Sequence, residues 1–213
     1  MTVEDDDPAP LDAASAMRLI HEQRATTTRH LEPDPRLHYW PWGVAWLVGF
    51  GLYFLRFSPD GRTLVAMPQW LPLTALFVLL GGAAAVFAVG SARAWRHVTG
   101  DSARRGSWYG TAWGLGFLSL FAVAGRVSGS LPDDLAGLLW SALSVALTGA
   151  LHLAGGAIWL DRTLFRLGVW LTAVNIAGVL AGPGWHALVV SVAGGGGMLL
   201  AGEIARLHRR DRG

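Results

Sequence analysis

Long apolar runs alternate along the chain with short polar breaks. A helix of about 17 to 25 apolar residues crosses the roughly 30 Å hydrocarbon core of a bilayer. Six spans of this kind are predicted: Trp42 to Phe57, Trp70 to Gly90, Trp108 to Gly125, Leu135 to Leu160, Leu167 to Gly182 and Trp185 to Ala205. The breaks carry charges or turn-forming Gly and Pro. Because open strands leave their backbone unsatisfied in lipid, the pattern predicts an all-α integral membrane bundle of six transmembrane helices.

Polar segments lie on both sides of this bundle. We expect a cytoplasmic N-terminal segment at 1–37, a six-helix transmembrane domain at 38–205 and a basic cytoplasmic tail at 206–213. Within the first segment, Leu11 to His30 is predicted to form a short amphipathic helix that starts near Asp12. Its narrow apolar face allows three interpretations: a helix on the membrane surface, a helix that docks a protein, or disorder. The polar and acidic start of the chain is unlike a secretory signal peptide.

The composition agrees with a membrane protein, since 52% of the 213 residues are apolar and only 15% are charged. Cysteine is absent, which excludes disulfides, thiolate metal sites and a cysteine nucleophile. All 17 basic residues are Arg. With the N-terminus inside, three of them (Arg56, Arg62 and Arg126) fall in outer segments and the other fourteen in inner segments. The chain is therefore predicted to be a multi-pass protein of the bacterial cytoplasmic membrane, with both termini cytoplasmic.

The same placement of Arg bears on the partners of the chain. Arginines at the inner ends of the spans face the anionic inner leaflet, so we expect contact with the lipid bilayer and no nucleic-acid binding, although the pI is near 9.7. A homo-oligomer is also expected. A cytoplasmic protein partner for the N-terminal helix is a further possibility.

Two spans share a sequence motif. Gly43 to Phe50 and Gly110 to Phe117 both read G-x-A-W-x-x-G-F, with five identical positions in eight, and Gly168-Val169-Trp170 is a weaker copy. Each copy begins a helix that runs outward from the cytoplasm. This favours three parallel two-helix hairpin repeats. The alternative is that every outward helix needs a Trp anchor at the interface and small residues for close packing.

Few polar side chains lie well inside the spans. The substrate-lining candidates are on the fourth and fifth spans: His152, Asn175, Thr148, Ser144 and Thr172. The intervening turn is expected between Thr163 and Leu164, which would place His152 and Asn175 at one depth, roughly 17 Å from the turn. Two interpretations are open: an interhelical hydrogen bond that holds a hairpin, or a face that contacts a transported substrate.

A run of glycines interrupts the sixth span near its centre. The helix-break candidates are Gly194, Gly195, Gly196 and Gly197. Four consecutive glycines could unwind the helix and expose its backbone to a ligand, as in transporters with broken helices. Alternatively, Ala193, Gly197 and Ala201 form a ridge of small residues for close helix packing.

Ionisable groups are missing from the interior of the spans. Asp161 is expected to cap the fifth helix, and Glu203 is expected to pair with Arg206 on the surface. The chain contains no G-x-x-x-x-G-K-[ST] phosphate loop, no H-E-x-x-H and no G-x-S-x-G. We therefore predict that the chain is not an enzyme and has no catalytic residue, cofactor or metal.

Three segments near the start of the chain are similar to a known group of proteins. The segments concerned are Arg18 to Gln23, Leu31 to Arg36 and Tyr39 to Trp46. Together they resemble small polytopic membrane proteins of actinobacteria that are often labelled transporters. The resemblance implies a cytoplasmic-membrane protein with several spans, and it carries over no substrate and no catalytic residue.

Two functions fit this pattern. The first is a small permease, or permease subunit, for an apolar or weakly polar solute that passes the faces carrying His152 and Asn175. The second is a non-transporting membrane scaffold or sensor whose N-terminal helix docks a cytoplasmic partner. The six-helix layout and the expected break in the sixth helix support the first. The scarcity of intramembrane polar groups supports the second.

Overall fold

The computed structural model describes residues 12, 15–19, 34, 36–59, 62–95 and 98–210. It divides into two compact units, Met1–Pro33 and Asp34–Gly213. In the first unit, residues 15–19 are helical, and the Asp12 carboxylate accepts a hydrogen bond from the Ser15 backbone N–H at 2.6 Å. This is the cap expected for a helix that starts near Asp12. The rest of the predicted helix from Leu11 to His30 lies outside the described residues.

The described part of the second unit consists of six long helices, without a strand. Helices α1 to α5 are Arg36–Arg56, Leu71–Trp95, Gly100–Ser128, Asp133–Trp159 and Arg162–Ala181. Helix α6 has three consecutive parts, which are Trp185–Val189, a π-helical segment Val190–Gly195 and Gly196–Arg210.

Five of these helices, α2 to α6, are long and apolar enough to cross a membrane. The chain is therefore an all-helical, multi-pass membrane protein. Helix α1 has 21 residues but is not among the five, because Tyr, Trp and Pro replace aliphatic residues in its first half and Arg stands at both ends. A sixth span at α1 stays a prediction.

Two predicted breaks are shorter in the structure than expected. Helix α3 begins at Gly100, inside the polar stretch expected to separate two spans, and α5 begins at Arg162 instead of Leu167. The Asp161 carboxylate accepts hydrogen bonds from the backbone N–H groups of Thr163 and Leu164, at 2.8 and 3.0 Å. The predicted cap is thus confirmed. Because the helix begins directly after this cap, the polar residues that follow belong to its first turns and not to a loop.

The two ends of the bundle are named here after their turns. The Asp161 end carries the α4–α5 turn at Leu160 and Asp161. The Pro183 end carries the α5–α6 turn, where Gly182 and Gly184 have φ values of 93° and 80°, a left-handed backbone that favours glycine. At the Pro183 end, the Arg56 side chain donates to the Met67 carbonyl at 2.9 Å and so fixes the loop between α1 and α2.

The core lies between α1, α4, α5 and α6. Its buried members include Trp46, Val145, Leu171 and Val190. Helices α4 and α5 approach closely through glycines, because a Cβ on Gly156 would lie 2.6 Å from the Phe165 backbone and one on Gly168 would lie 2.6 Å from the Leu153 nitrogen. Helix α2 packs on α1, and α3 packs on α4.

Charged side chains gather at the Asp161 end, at the start of α1 and the end of α6. Arg36 pairs with Asp34 at 2.7 Å, and Arg206 pairs with Glu203 at 3.2 Å, which confirms the expected second pair. The hydrogen bond from Arg36 holds the pKa of the Asp34 carboxyl below its ordinary value, and the charge of Arg206 acts in the same direction. These pairs connect the two helix ends electrostatically.

Candidate functional site

A closed polar network lies near the Pro183 end and joins α4, α5 and α6. The Asn175 amide donates to the Ala142 carbonyl at 3.1 Å, and the Asn175 carbonyl oxygen lies 3.0 Å from Nε2 of His186. The other ring nitrogen of His186 lies 3.2 Å from the Ser141 hydroxyl. His186 is only 1% exposed. The network therefore ties three helices together from inside.

The proton positions in this network follow from its donors and acceptors. Because the Asn175 amide group is used on Ala142, its carbonyl oxygen is free to accept, and His186 must donate from Nε2. In the neutral imidazole, Nδ1 is then an acceptor, and it shares the single proton of the Ser141 hydroxyl with the Gly137 carbonyl 2.9 Å away. Both ring nitrogens thus have a partner within hydrogen-bond distance inside the protein. The network is thus complete without a ligand.

The expected pair of His152 and Asn175 is not formed. Asn175 bonds His186 and Ala142, whereas Nδ1 of His152 bonds the Thr148 carbonyl of its own helix at 2.8 Å. The turn is the reason. It is centred at Leu160 and Asp161, about 3 residues earlier than expected, so His152 and Asn175 differ in depth by about 6 residues, or about 9 Å of helix.

The hydroxyl candidates also bond within their own helices. Ser144, Thr148 and Thr172 each donate to the carbonyl four residues earlier, at 2.8 to 2.9 Å. The Thr172 hydroxyl lies against Gly149, so this pair belongs to the close contact of α4 with α5. These side chains therefore offer acceptor oxygens but no uncommitted donor.

The glycine run in α6 is helical, not unwound. The π-helical segment Val190–Gly195 contains Gly194 and Gly195, and Gly196 and Gly197 begin the next α-helical part. Three of the four glycines meet neighbours: Gly194 meets Trp46, Gly195 meets the α1 backbone at Gly43 and Leu47, and Gly197 meets Trp170. A Cβ on Gly196 would meet open space.

The π segment is held by side-chain hydrogen bonds to two other helices, α1 and α5. The Trp170 indole donates to the Ala193 carbonyl at 2.8 Å, and the Ser191 hydroxyl donates to the Leu47 carbonyl at 2.7 Å. Short π segments inside α-helices often lie at functional sites. Here the glycines serve close packing of α6 against α1 and α5.

A second candidate site is a continuous row of aromatic rings between α3 and α4, here called the aromatic ladder. On α3 its members are spaced four residues apart: Tyr109, Trp113, Phe117 and Phe121. On α4 it contains Trp159, His152 and Trp140, with ring centroids 4.7, 5.6 and 5.7 Å from Tyr109, Trp113 and Phe121, respectively. The ladder thus extends from Trp140 to Trp159 along most of α4, and from Tyr109 to Phe121 along the middle of α3.

The ladder is partly open to its surroundings. Phe121 is 46% exposed and Trp159 is 41% exposed, while Trp113, Phe117 and His152 are half-buried. At the Asp161 end, the Tyr109 hydroxyl donates to the Leu151 carbonyl at 2.6 Å, over the space left by Gly155. His152 is therefore an imidazole set among accessible rings.

Neither the polar network around His186 nor the aromatic ladder was predicted from the sequence. The stripe of Ser144, Thr148 and His152 continues one turn back to Ser141, which would have drawn attention to the true partner of His186. The spacing of four between aromatic residues on α3 was the available signal for the ladder. Within the described ranges, no three His, Asp or Glu side chains converge to hold a metal ion.

Comparison of the chain with family models, curated proteins and solved structures finds no match. The functional interpretation therefore depends on the geometry of the chain itself. That geometry separates a closed polar network, which is complete within the protein, from an aromatic ladder with an accessible imidazole.

Proposed function

We propose that this chain is a small permease, or the membrane subunit of one, for apolar or weakly polar solutes. The aromatic ladder between α3 and α4 is the observation that carries the proposal. Its partly exposed rings lie on two helices that are long and apolar enough to span a bilayer, over most of α4 and the middle of α3. Such a surface lets an apolar solute move between ring contacts without meeting a charge.

The side chains along α3 and α4 favour a solute without a net charge. In α3 and α4, the acidic and basic side chains stand in the first two turns or the last turn: Asp101, Arg104, Arg105, Arg126, Asp133 and Asp134. Farther inside α4, the hydroxyls of Ser144 and Thr148 and Nδ1 of His152 donate to carbonyls of their own helix. A charged solute would find no counter-ion along the ladder, and its desolvation would be costly.

Flux across proteoliposomes tests this proposal. We expect the reconstituted protein to accelerate the equilibration of neutral aromatic solutes over protein-free vesicles. Phe117→Ala should slow this flux, because it removes a ring in the middle of the ladder. Phe77→Ala on α2 is the matched control, since Phe77 is 60% exposed and belongs to no ladder contact, and it should leave the flux unchanged.

The scaffold hypothesis makes the opposite prediction for these vesicles. Equal flux with and without the protein, over a panel of neutral aromatic solutes, would contradict the permease and favour a scaffold whose N-terminal helix docks a partner. The expected homo-oligomer stays a prediction, which the mass of the detergent-solubilised protein would test.

We further propose that the chain lies in a bacterial cytoplasmic membrane with both termini inside and α1 as a sixth span. The unequal distribution of Arg supports this orientation. Reporter fusions after Arg105 and after Asp211 should both give a cytoplasmic signal. A periplasmic signal at either position would show that the number of spans or their orientation is wrong.

A further inference from the structure

His152 gives the aromatic ladder a defined hydrogen-bonding character. The Thr148 carbonyl can only accept, so the 2.8 Å contact requires that Nδ1 of His152 carries a proton. In a neutral imidazole the other nitrogen, Nε2, then has a lone pair and no proton. The ladder therefore presents one acceptor nitrogen among its rings.

This acceptor has no partner within the described part of the chain. Among the described residues, the one hydrogen bond of the His152 ring is to the Thr148 carbonyl, and the Trp113 ring meets the imidazole edge to face at 5.6 Å. Every fully buried side-chain nitrogen or oxygen among the described residues has a hydrogen-bond partner. Nε2 of His152 is therefore not fully buried, and it is left without a partner among the rings of the ladder.

We propose that the aromatic ladder binds neutral aromatic alcohols, with the solute hydroxyl donating to Nε2 of His152 and the solute ring packing against Trp113. This inference rests on the proposed permease function and specifies its substrate class. A phenol matches both features, because its ring contacts other rings and its O–H supplies the donor that the imidazole lacks. A cation would also be attracted to the rings, but it would be buried without a counter-ion.

The test compares a phenol with its methyl ether. In proteoliposomes, para-bromophenol and para-bromoanisole both quench Trp fluorescence on contact, and only the phenol has a donor. Protein-free vesicles give the membrane concentration of each probe, so that binding is compared at equal concentration in the lipid. We expect the phenol to bind about five-fold more tightly, the effect of about one net hydrogen bond.

His152→Leu should abolish this preference, so that the phenol and the ether bind about equally, because leucine keeps an apolar contact and removes the acceptor. Thr111→Val is the matched control, since Thr111 lies on the opposite face of α3 from the ladder and bonds only the Ser107 carbonyl. It should retain the five-fold preference. The comparison of the two probes on the unaltered protein remains informative even where a variant does not fold.

The outcomes separate this inference from the proposed function. Equal binding of phenol and ether by the unaltered protein overturns the inference, even if the protein carries flux. A five-fold preference that persists in His152→Leu also overturns it. A preference that His152→Leu abolishes supports the inference, and the absence of flux in the same vesicles would then overturn only the permease.

Discussion

Gly168→Ala is expected to destabilise the bundle by about 2 to 3 kcal/mol, which is typical of forced overpacking. The added Cβ would lie 2.6 Å from the Leu153 backbone nitrogen and 3.0 Å from the Gly149 carbonyl oxygen. These are backbone atoms, so no side chain can rotate away, and α4 and α5 would have to separate. Thermal unfolding in a mild detergent, followed by Trp fluorescence, measures the change.

Gly82→Ala is the matched control for this substitution. Gly82 lies in the middle of α2, and a Cβ there would meet nothing within 4 Å. Alanine also has the higher helix propensity, so the stability of this variant should be unchanged or slightly higher. If Gly168→Ala were as stable as Gly82→Ala, the close contact between α4 and α5 would be wrong.

Asn175→Leu is expected to cost about 1 to 2 kcal/mol of stability. The change removes the acceptor of His186 Nε2, which is 3.0 Å away in a side chain that is 1% exposed. A buried donor left without a partner costs more than the hydrogen bond itself contributes, although hydrogen bonds between membrane helices are individually modest. For a chain of this length, the loss corresponds to a decrease in Tm of about 4 °C.

His152→Leu is the comparison for this prediction. It also replaces a polar residue inside a span by leucine, but the hydrogen bond that it removes closes on its own helix. The Thr148 carbonyl keeps its place in the backbone of α4. We expect a change of about 0.5 kcal/mol or less. An equal loss of stability in both variants would contradict the assignment of the network as structural and of His152 as accessible.

The helical bundle could be predicted from the sequence because apolar length is a property of each segment alone. Helices α2 to α6 correspond to predicted spans on that basis. Their ends were harder to predict, since polar residues in a first helical turn resemble a loop. Arg162 and Arg166 were interpreted as part of a break, although the Asp161 cap places them in α5.

The candidate site was predicted only in part, because side-chain partners depend on register and rotation between helices. The small error in the α4–α5 turn placed His152 level with Asn175, and neither residue has that partner. His186 follows the Pro183 turn by three residues, and a position so near the end of a span does not by itself indicate burial. The space left by Gly178 lets its ring lie inside, 2.8 Å from where a Cβ would stand.

The motif shared by α1 and α3 can be found in the sequence, but the packing of its glycines differs between the two helices. Gly49 packs on Leu76 of the following helix, and its counterpart Gly116 packs on Leu147 in the same way. Gly43 lies against the Gly195 carbonyl, whereas a Cβ on its counterpart Gly110 would meet nothing within 4 Å. Parallel hairpin repeats stay a prediction, which superposition of α1–α2 on α3–α4 would test.

The central claim is that the two polar groups of the bundle have separate roles, with the network of Asn175 and His186 holding the helices and the ladder around His152 contacting solute. The most direct test measures Tm and para-bromophenol flux together, per folded protein, for Asn175→Leu and His152→Leu. The account predicts a lower Tm with retained flux for Asn175→Leu, and a retained Tm with about five-fold slower flux for His152→Leu. The reverse pattern, with flux lost in Asn175→Leu and retained in His152→Leu, would contradict it.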